Sequence, residues 1–234
     1  MEDTRFFITG DIHGDLTRIW EFIDKIDINY ENCNIIIAGD AGLCWRHDKA
    51  DLARNILLHE SNYKTHIWFI DGNHENFKVL KSFPIDEDGI AHISKHIHYL
   101  PRGSKLILNF GSYTKTLLAM GGADSVDKNQ RTSGLNWWED ERITEKDIEG
   151  INGYYDYVIT HCCPSHIFNN NKVYLCTLGN IIDDANADFH ESEKMLEKLY
   201  NNIDFDMWYF GHYHTNLQVD IKFKCIFDTF EEIF

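Results

Sequence analysis

Proline is almost missing: three in 234 residues. With no Pro- or Ser-rich linker, low-complexity tract or internal repeat to mark a boundary, residues 1–234 are expected to form a single domain. No apolar run approaches the roughly 20 residues that a membrane-spanning helix requires. The N-terminus also lacks a basic-then-apolar leader pattern, so a cytoplasmic protein that does not contact membrane is expected. Positive charge is scarce, 22 Lys and Arg against 38 Asp and Glu, giving −16 with histidine neutral. Binding to duplex nucleic acid depends on neutralising phosphates, so duplex nucleic acid is not an expected partner. Any phosphate must be attracted locally. There is no Cys-x-x-Cys pair among Cys33, Cys44, Cys162, Cys163, Cys176 and Cys225. Reduced thiols, rather than a disulfide framework, are expected.

What is plentiful is apolar and imidazole side chains. Hydrophobic residues make up 43% and aromatics 14%, enough for a sizeable core. Thirteen histidines in an acidic chain supply neutral nitrogen donors, which together with carboxylates favour borderline transition metals.

Short apolar runs, rich in β-branched and aromatic residues, recur at 6–9, 35–38, 67–70, 117–120, 157–160 and 208–210. Their length predicts buried strands. Helical spacing over 16–26 and 48–59 separates the first three, and the strand–helix–strand order implies parallel crossovers in an α/β core. Residues 93–120 suggest strands without long helices, 190–200 a further helix, and 217–227 an antiparallel pair.

In open α/β sheets ligands gather beyond the carboxyl ends of the strands, so the polar residues just past each run are candidate ligands. Asp11 and His13 come after the first, Asp40 after the second, and Asp71-Gly-Asn73-His74-Glu75 after the third. Thr160-His161 closes another, and Gly211-His212-Tyr-His214 the last. Residues two apart in an extended segment point to the same side, which suits the DxH and HxH spacings. Each element alone is ordinary loop polarity or a helix cap; all of them in this order, each at an apolar strand end, point to a metal site.

The blocks GDIHG, GD, GNHE, THCCP and GHYH resemble the calcineurin-like metallophosphoesterase superfamily across nearly the whole chain. The stretches AGDAGLCW, DGNHENF, MGGADSVDKNQRTSGLNWW and YFGHYH are similar to a bacterial metallophosphatase subgroup, which implies no particular physiological substrate. The resemblance implies an α/β four-layer αββα sandwich, two mixed β-sheets flanked by helices. It also implies a dinuclear centre of divalent or trivalent transition-metal ions, Mn, Fe, Zn or Ni. Asp11, His13 and His214 would hold one ion, Asn73, His161 and His212 the other, and Asp40 would bridge them. A metal-bridging hydroxide would then hydrolyse a phosphomonoester or phosphodiester, on a small phosphorylated substrate or short nucleotide, with His74 protonating the leaving group. Asp71 either orients His74 or caps a turn.

One departure stands out. The superfamily's Ser/Thr protein phosphatases continue the second block into an Asp-Arg pair that grips phosphate, whereas here Asp40 is followed by AGLCWR, which disfavours that activity. Arg46 reaches substrate or is a solvated loop residue. The glycine-rich stretch 121–138 offers Asp124, Lys128 and Arg131 as substrate contacts, against the alternative of a mobile surface loop. Trp137 and Trp138 stack a ring or anchor that loop. His92, His96 and His98 imitate a ligand cluster without strand-end context and are expected on a solvated face. Cys162 and Cys163 are expected to pack. Two rival functions remain: a nuclease for short or single-stranded nucleic acid, and a non-catalytic metal-binding interaction module, which would have little need of His74.

Overall fold

The computed structural model describes residues 4–26, 32–45, 49–171 and 190–234. The apolar runs form strands in two six-stranded sheets. The first sheet contains β1 (Arg5–Thr9), β2 (Cys33–Ile37), β3 (His66–Phe69), β4 (Ala91–His92), β5 (Ile97–Tyr99) and β12 (Glu231–Ile233), in the order β12-β1-β2-β3-β5-β4. The second contains β6 (Lys105–Asn109), β7 (Thr114–Met120), β8 (Gly153–Thr160), β9 (Ile203–Phe210), β10 (Leu217–Gln218) and β11 (Phe223–Cys225), in the order β10-β11-β9-β8-β7-β6. Both are mixed. β1, β2, β3 and β5 run parallel with antiparallel edges β12 and β4. In the second sheet β7, β8, β9 and β11 run parallel between antiparallel β6 and β10.

Alternation along each central strand sorts side chains into three apolar layers. Phe7, Ile35, Ile37, Ile67 and Phe69 face outward with Ile19 and Ile23 of α1 (Thr17–Ile23), and Leu52 and Ile56 of α2 (Lys49–Asn62) pack on them. Phe6, Ile8, Ile36, Leu117, Ala119, Ile159 and Tyr209 meet between the sheets. Leu118, Met120, Val158, Trp208 and Phe210 form the third layer with Ile167 of α5 (165–171) and Leu196 and Leu199 of α6 (Glu191–Tyr200). Cover on both faces is why these strands read as continuous apolar runs. The result is the α/β architecture of two mixed sheets flanked by helices. Two short helices, α3 (Phe77–Leu80) and α4 (Glu145–Ile148), complete it.

Several sequence expectations are corrected. The first helix ends at Ile23 rather than 26. The second runs on to Asn62, and position 48, where it was expected to begin, lies outside the described residues. Residues 217–225 do pair antiparallel, but β11 also lies parallel on β9. His96 and His98 are buried, 3% and 4% exposed: His98 because β5 is an inner strand between β3 and β4, and His96, just before β5, against Glu60. Arg46 and Cys176 lie outside the described residues.

Candidate metal centre

The parallel strands of both sheets end at one rim, and the segments leaving them interlock. Gly10 N donates to Phe227 O (3.1 Å), and Gly211 N to His161 O (3.0 Å). Glycine is required where loops cross: a Cβ on Gly72 would lie 2.1 Å from Asp40 Oδ1, and one on Gly211 2.5 Å from Asp11 Oδ1. Among described non-glycine residues, five have left-handed φ, and four are here: His13 (48°), Asp40 (47°), His212 (68°) and His214 (47°). Each such conformation costs on the order of 1–3 kcal/mol and persists only where surrounding structure imposes it.

What the strain achieves is convergence. Asp11 Oδ2 lies 3.1 Å from His214 Nε2 and 3.9 Å from His13 Nε2. The two imidazole nitrogens are 3.1 Å apart. Asp40 reaches His161 Nε2 at 3.4 Å through Oδ1 and His13 Nδ1 at 4.0 Å through Oδ2. Asn73 Oδ1 sits 3.2 Å from His161 Nε2. His161 Nδ1 donates to Ala38 O (2.7 Å), which aims Nε2 inward. Backbone donors hold both carboxylates: His212 N on Asp11 Oδ1 (2.9 Å) and His74 N on Asp40 Oδ1 (2.7 Å). The imidazole of His212 lies with its ring centroid 5.0 Å from that of His161.

Three overlapping trios place one ligand atom each within 4.8 Å of the others: Asp11, His13 and His214; His13, Asp40 and His74; and Asp11, Asp40 and His161. Asp11 and Asp40 are each 1% exposed. Burial opposes their ionisation, yet His161 and the neighbouring imidazoles hold Asp11 below the usual carboxylate range and Asp40 well below it. Burial likewise opposes charge on His161, but Asp40 and Asp11 push it up to about 10. Burial beside His161 lowers His212 to about 3. Two buried carboxylates so strongly in need of positive charge, ringed by imidazole nitrogens and one amide oxygen, suit metal binding.

His74 Nε2 faces Arg131 Nη2 at 2.8 Å. Arg131 Nη1 donates to Asn73 O (3.2 Å), and Arg131 Nε pairs with Asp127 Oδ1 (2.7 Å). Burial lowers the His74 pKa, with Asp40 opposing. Asp71 is engaged away from His74. Its Oδ1 accepts from Tyr99 OH (2.8 Å), and its Oδ2 from Arg102 Nε (3.0 Å) and Nη2 (2.7 Å).

The loop candidates divide. Arg131 is at the rim. Asp124 is buried on Arg142 Nε (2.6 Å) and Ser192 N (2.8 Å), fastening the loop to α6. Lys128 Nζ lies 4.3 Å from the Trp137 ring centroid, and Trp138 is buried. Cys162 and Cys163 are fully buried. Sequence reasoning passed over Trp45, Ser125 and Glu141, and Glu75, a candidate ligand by its place in the sequence, turns instead to a backbone donor. Glu75 Oε1 accepts from Gly42 N (3.0 Å), with burial raising its carboxyl well above the usual range. Trp45 lies 4.7 Å from His74 by ring centroids and walls, with His13, Gly14, Asp15 and His74, a cavity of about 480 Å³ at the rim. A larger cavity of about 820 Å³ lies at the other end of β9, and no ligand group converges on it among the described residues.

No curated protein matches the chain. The sequence profile of calcineurin-like phosphoesterases matches residues 4–216, spanning every rim ligand from Asp11 to His214. The chain belongs to the calcineurin-like phosphoesterase family.

Proposed function

We propose that the protein hydrolyses a phosphomonoester or phosphodiester of a small molecule at a dinuclear transition-metal centre. The observation that carries this is the meeting of Asp11, Asp40, His13, His161 and His214 at one rim, within overlapping ligand trios. Asp11, His13 and His214 would hold one ion and Asn73, His161 and His212 the other, with Asp40 between them. When bound, the cations supply Lewis acidity towards phosphate oxygens and lower the pKa of the attacking water. Mn, Fe, Zn and Ni all suit this donor set.

The chain's own contribution is positioning, charge and a proton. Arg131 reaches the rim from the 121–138 stretch, against His74 and the Asn73 carbonyl. Its guanidinium is held by Asp127 and the Asn73 carbonyl, so it is ready to take phosphate oxygens without a large loss of side-chain freedom. With Arg131 donating to it, His74 Nε2 is an acceptor and His74 carries its proton on Nδ1. A phosphate that draws Arg131 away frees Nε2 to be protonated and to serve the leaving oxygen. The 480 Å³ cavity beside His13 and His74 takes the alcohol portion of a small substrate.

A screen of metal-reconstituted protein tests the reading. p-Nitrophenyl phosphate, bis-p-nitrophenyl phosphate, mononucleotides and single-stranded oligonucleotides should be compared with Mn²⁺, Fe²⁺, Zn²⁺ and Ni²⁺. Turnover of a small ester that disappears on chelation is expected. Cleavage confined to oligonucleotides would make the protein a nuclease. Metal binding without turnover of any substrate would favour an interaction module.

A further inference from the structure

The buried groups behind the rim include one polar chain that ends on a rim ligand. Asn73 Nδ2 donates to Ser125 Oγ (3.2 Å), and Ser125 Oγ donates to Glu141 Oε2 (2.7 Å). Ser125 N (2.7 Å) and Trp137 Nε1 (2.8 Å) donate to Glu141 Oε1. Asn73, Ser125 and Glu141 are 5%, 1% and 1% exposed, so these contacts face little competition from water.

The direction of this chain decides which end of the Asn73 amide faces the rim. Burial raises the Glu141 carboxyl to about 7 against the three donors that converge on it; above that pH the ionised carboxylate only accepts, so the one hydroxyl hydrogen of Ser125 goes to Glu141, leaving a lone pair towards Asn73. That lone pair requires an N–H donor. The NH2 end of the amide therefore turns to Ser125, and Oδ1 turns to the rim beside His161 Nε2. Only the oxygen end can ligate a cation, because the amide nitrogen presents hydrogens. With a cation on His161 Nε2, that imidazole has no hydrogen to offer Oδ1, and Ser125 is left to hold the amide in its ligating sense.

We infer that Ser125 and Glu141 are positioning residues that orient Asn73 for metal ligation. This rests on the dinuclear reading above, and it gives the 121–141 segment a role in building the centre beyond any contact with substrate. Groups behind metal ligands commonly change metal affinity by roughly 10–100-fold when removed.

The test is Mn²⁺ titration of chelator-stripped protein by calorimetry, which does not depend on turnover. Wild type should bind two equivalents. Ser125→Ala should weaken one of the two by roughly 10–100-fold and leave the other near wild type. Asn73→Asp presents an oxygen at either end and needs no orientation. In that background Ser125→Ala should change Mn²⁺ affinity by less than about 3-fold, the coupling that a double-mutant cycle isolates. Circular dichroism and the melting temperature of the metal-free variants check folding. If Ser125→Ala is unfolded, Glu141→Gln, which no longer requires the Ser125 hydrogen to point one way, serves in the same cycle. Undiminished binding in the variant, or an equal loss in both Asn73 backgrounds, overturns the positioning role alone. Wild-type protein that binds no Mn²⁺ overturns the dinuclear reading and this role with it.

Discussion

Two groups of histidines sit at opposite ends of the first sheet, and at the level of single contacts they look alike. At the rim His13 Nε2 and His214 Nε2 are 3.1 Å apart. At the far end His66 Nδ1 lies 3.0 Å from His98 Nε2, and His98 Nδ1 2.8 Å from His92 Nδ1. Their surroundings differ. With each imidazole neutral the far group has one order of protons: His92 Nε2 donates to Asp86 Oδ2 (2.7 Å), so its Nδ1 accepts from His98, whose Nε2 then accepts from His66. The His66 and His98 ring centroids are 5.3 Å apart, the separation of two imidazoles joined in line through an N–H···N bond. His96 is taken up separately by Glu60 Oε2 at 2.5 Å. Burial and the neighbouring imidazoles drive His98 down to about 3, whereas two buried carboxylates drive His161 up to about 10. Imidazoles in contact do not by themselves make a metal site. Buried carboxylates among them, held in strained backbone, distinguish the rim.

The sharpest way to break that distinction is to neutralise the carboxylate between the two ligand groups. Asp40→Asn should lose metal at both positions and lower turnover by roughly 10³-fold or more, since both the Lewis acid and the activated water depend on it. Elemental analysis of Mn²⁺-loaded protein, read beside the activity, checks this. Near-normal metal content would remove Asp40 from the bridge.

A smaller effect is expected at His74, which belongs to a candidate trio with His13 and Asp40 and yet faces Arg131. His74→Asn should keep its metal and slow an alkyl phosphate by roughly 10²–10⁴-fold. A p-nitrophenyl ester, whose leaving group is already a stable anion, should suffer far less. Equal loss on both esters together with loss of metal would make His74 a ligand rather than an acid.

The parallel strands were legible in the sequence because cover on both faces makes them continuous apolar runs, and the rim residues because each comes within a few positions of such a run. The features that could not be read depend on long-range partners. Asp71 reads locally as an orienter of His74 or a turn cap because only its sequence neighbours are visible there, but Tyr99 and Arg102, about thirty residues on, hold its carboxylate. Ser125 and Glu141 lie in a stretch without periodicity, and nothing local ties them to Asn73. β5 has three residues, too short for alternation to announce that His98 is inside. β12 is similarly short, and its pairing with β1 joins the two ends of the chain.

The smallest expected effect sharpens the comparison from the far side. The His98 pKa is depressed when folded, so below the unfolded value of about 6.5 the unfolded chain binds the extra proton and the folded chain does not. Stability should therefore fall as pH drops from about 6.5 towards the folded value of about 3. Burial and the surrounding His66, His92 and His96 oppose a proton on His98, and the Glu60 carboxylate only partly offsets them. After allowance for solvent screening, the loss between pH 7 and pH 4.5 is on the order of 1–2 kcal/mol. His98→Gln can donate to His92 and accept from His66 without titrating, so it should lack that part of the acid sensitivity. Urea midpoints of both proteins at pH 7 and 4.5, measured with chelator so that the rim contributes no metal-linked slope, provide the comparison. Wild type should lose more stability on acidification than the variant. Parallel losses would mean that His98 accepts its proton inside the fold, shared along the imidazole chain towards Asp86, and the contrast with His161 would then rest on the carboxylates alone.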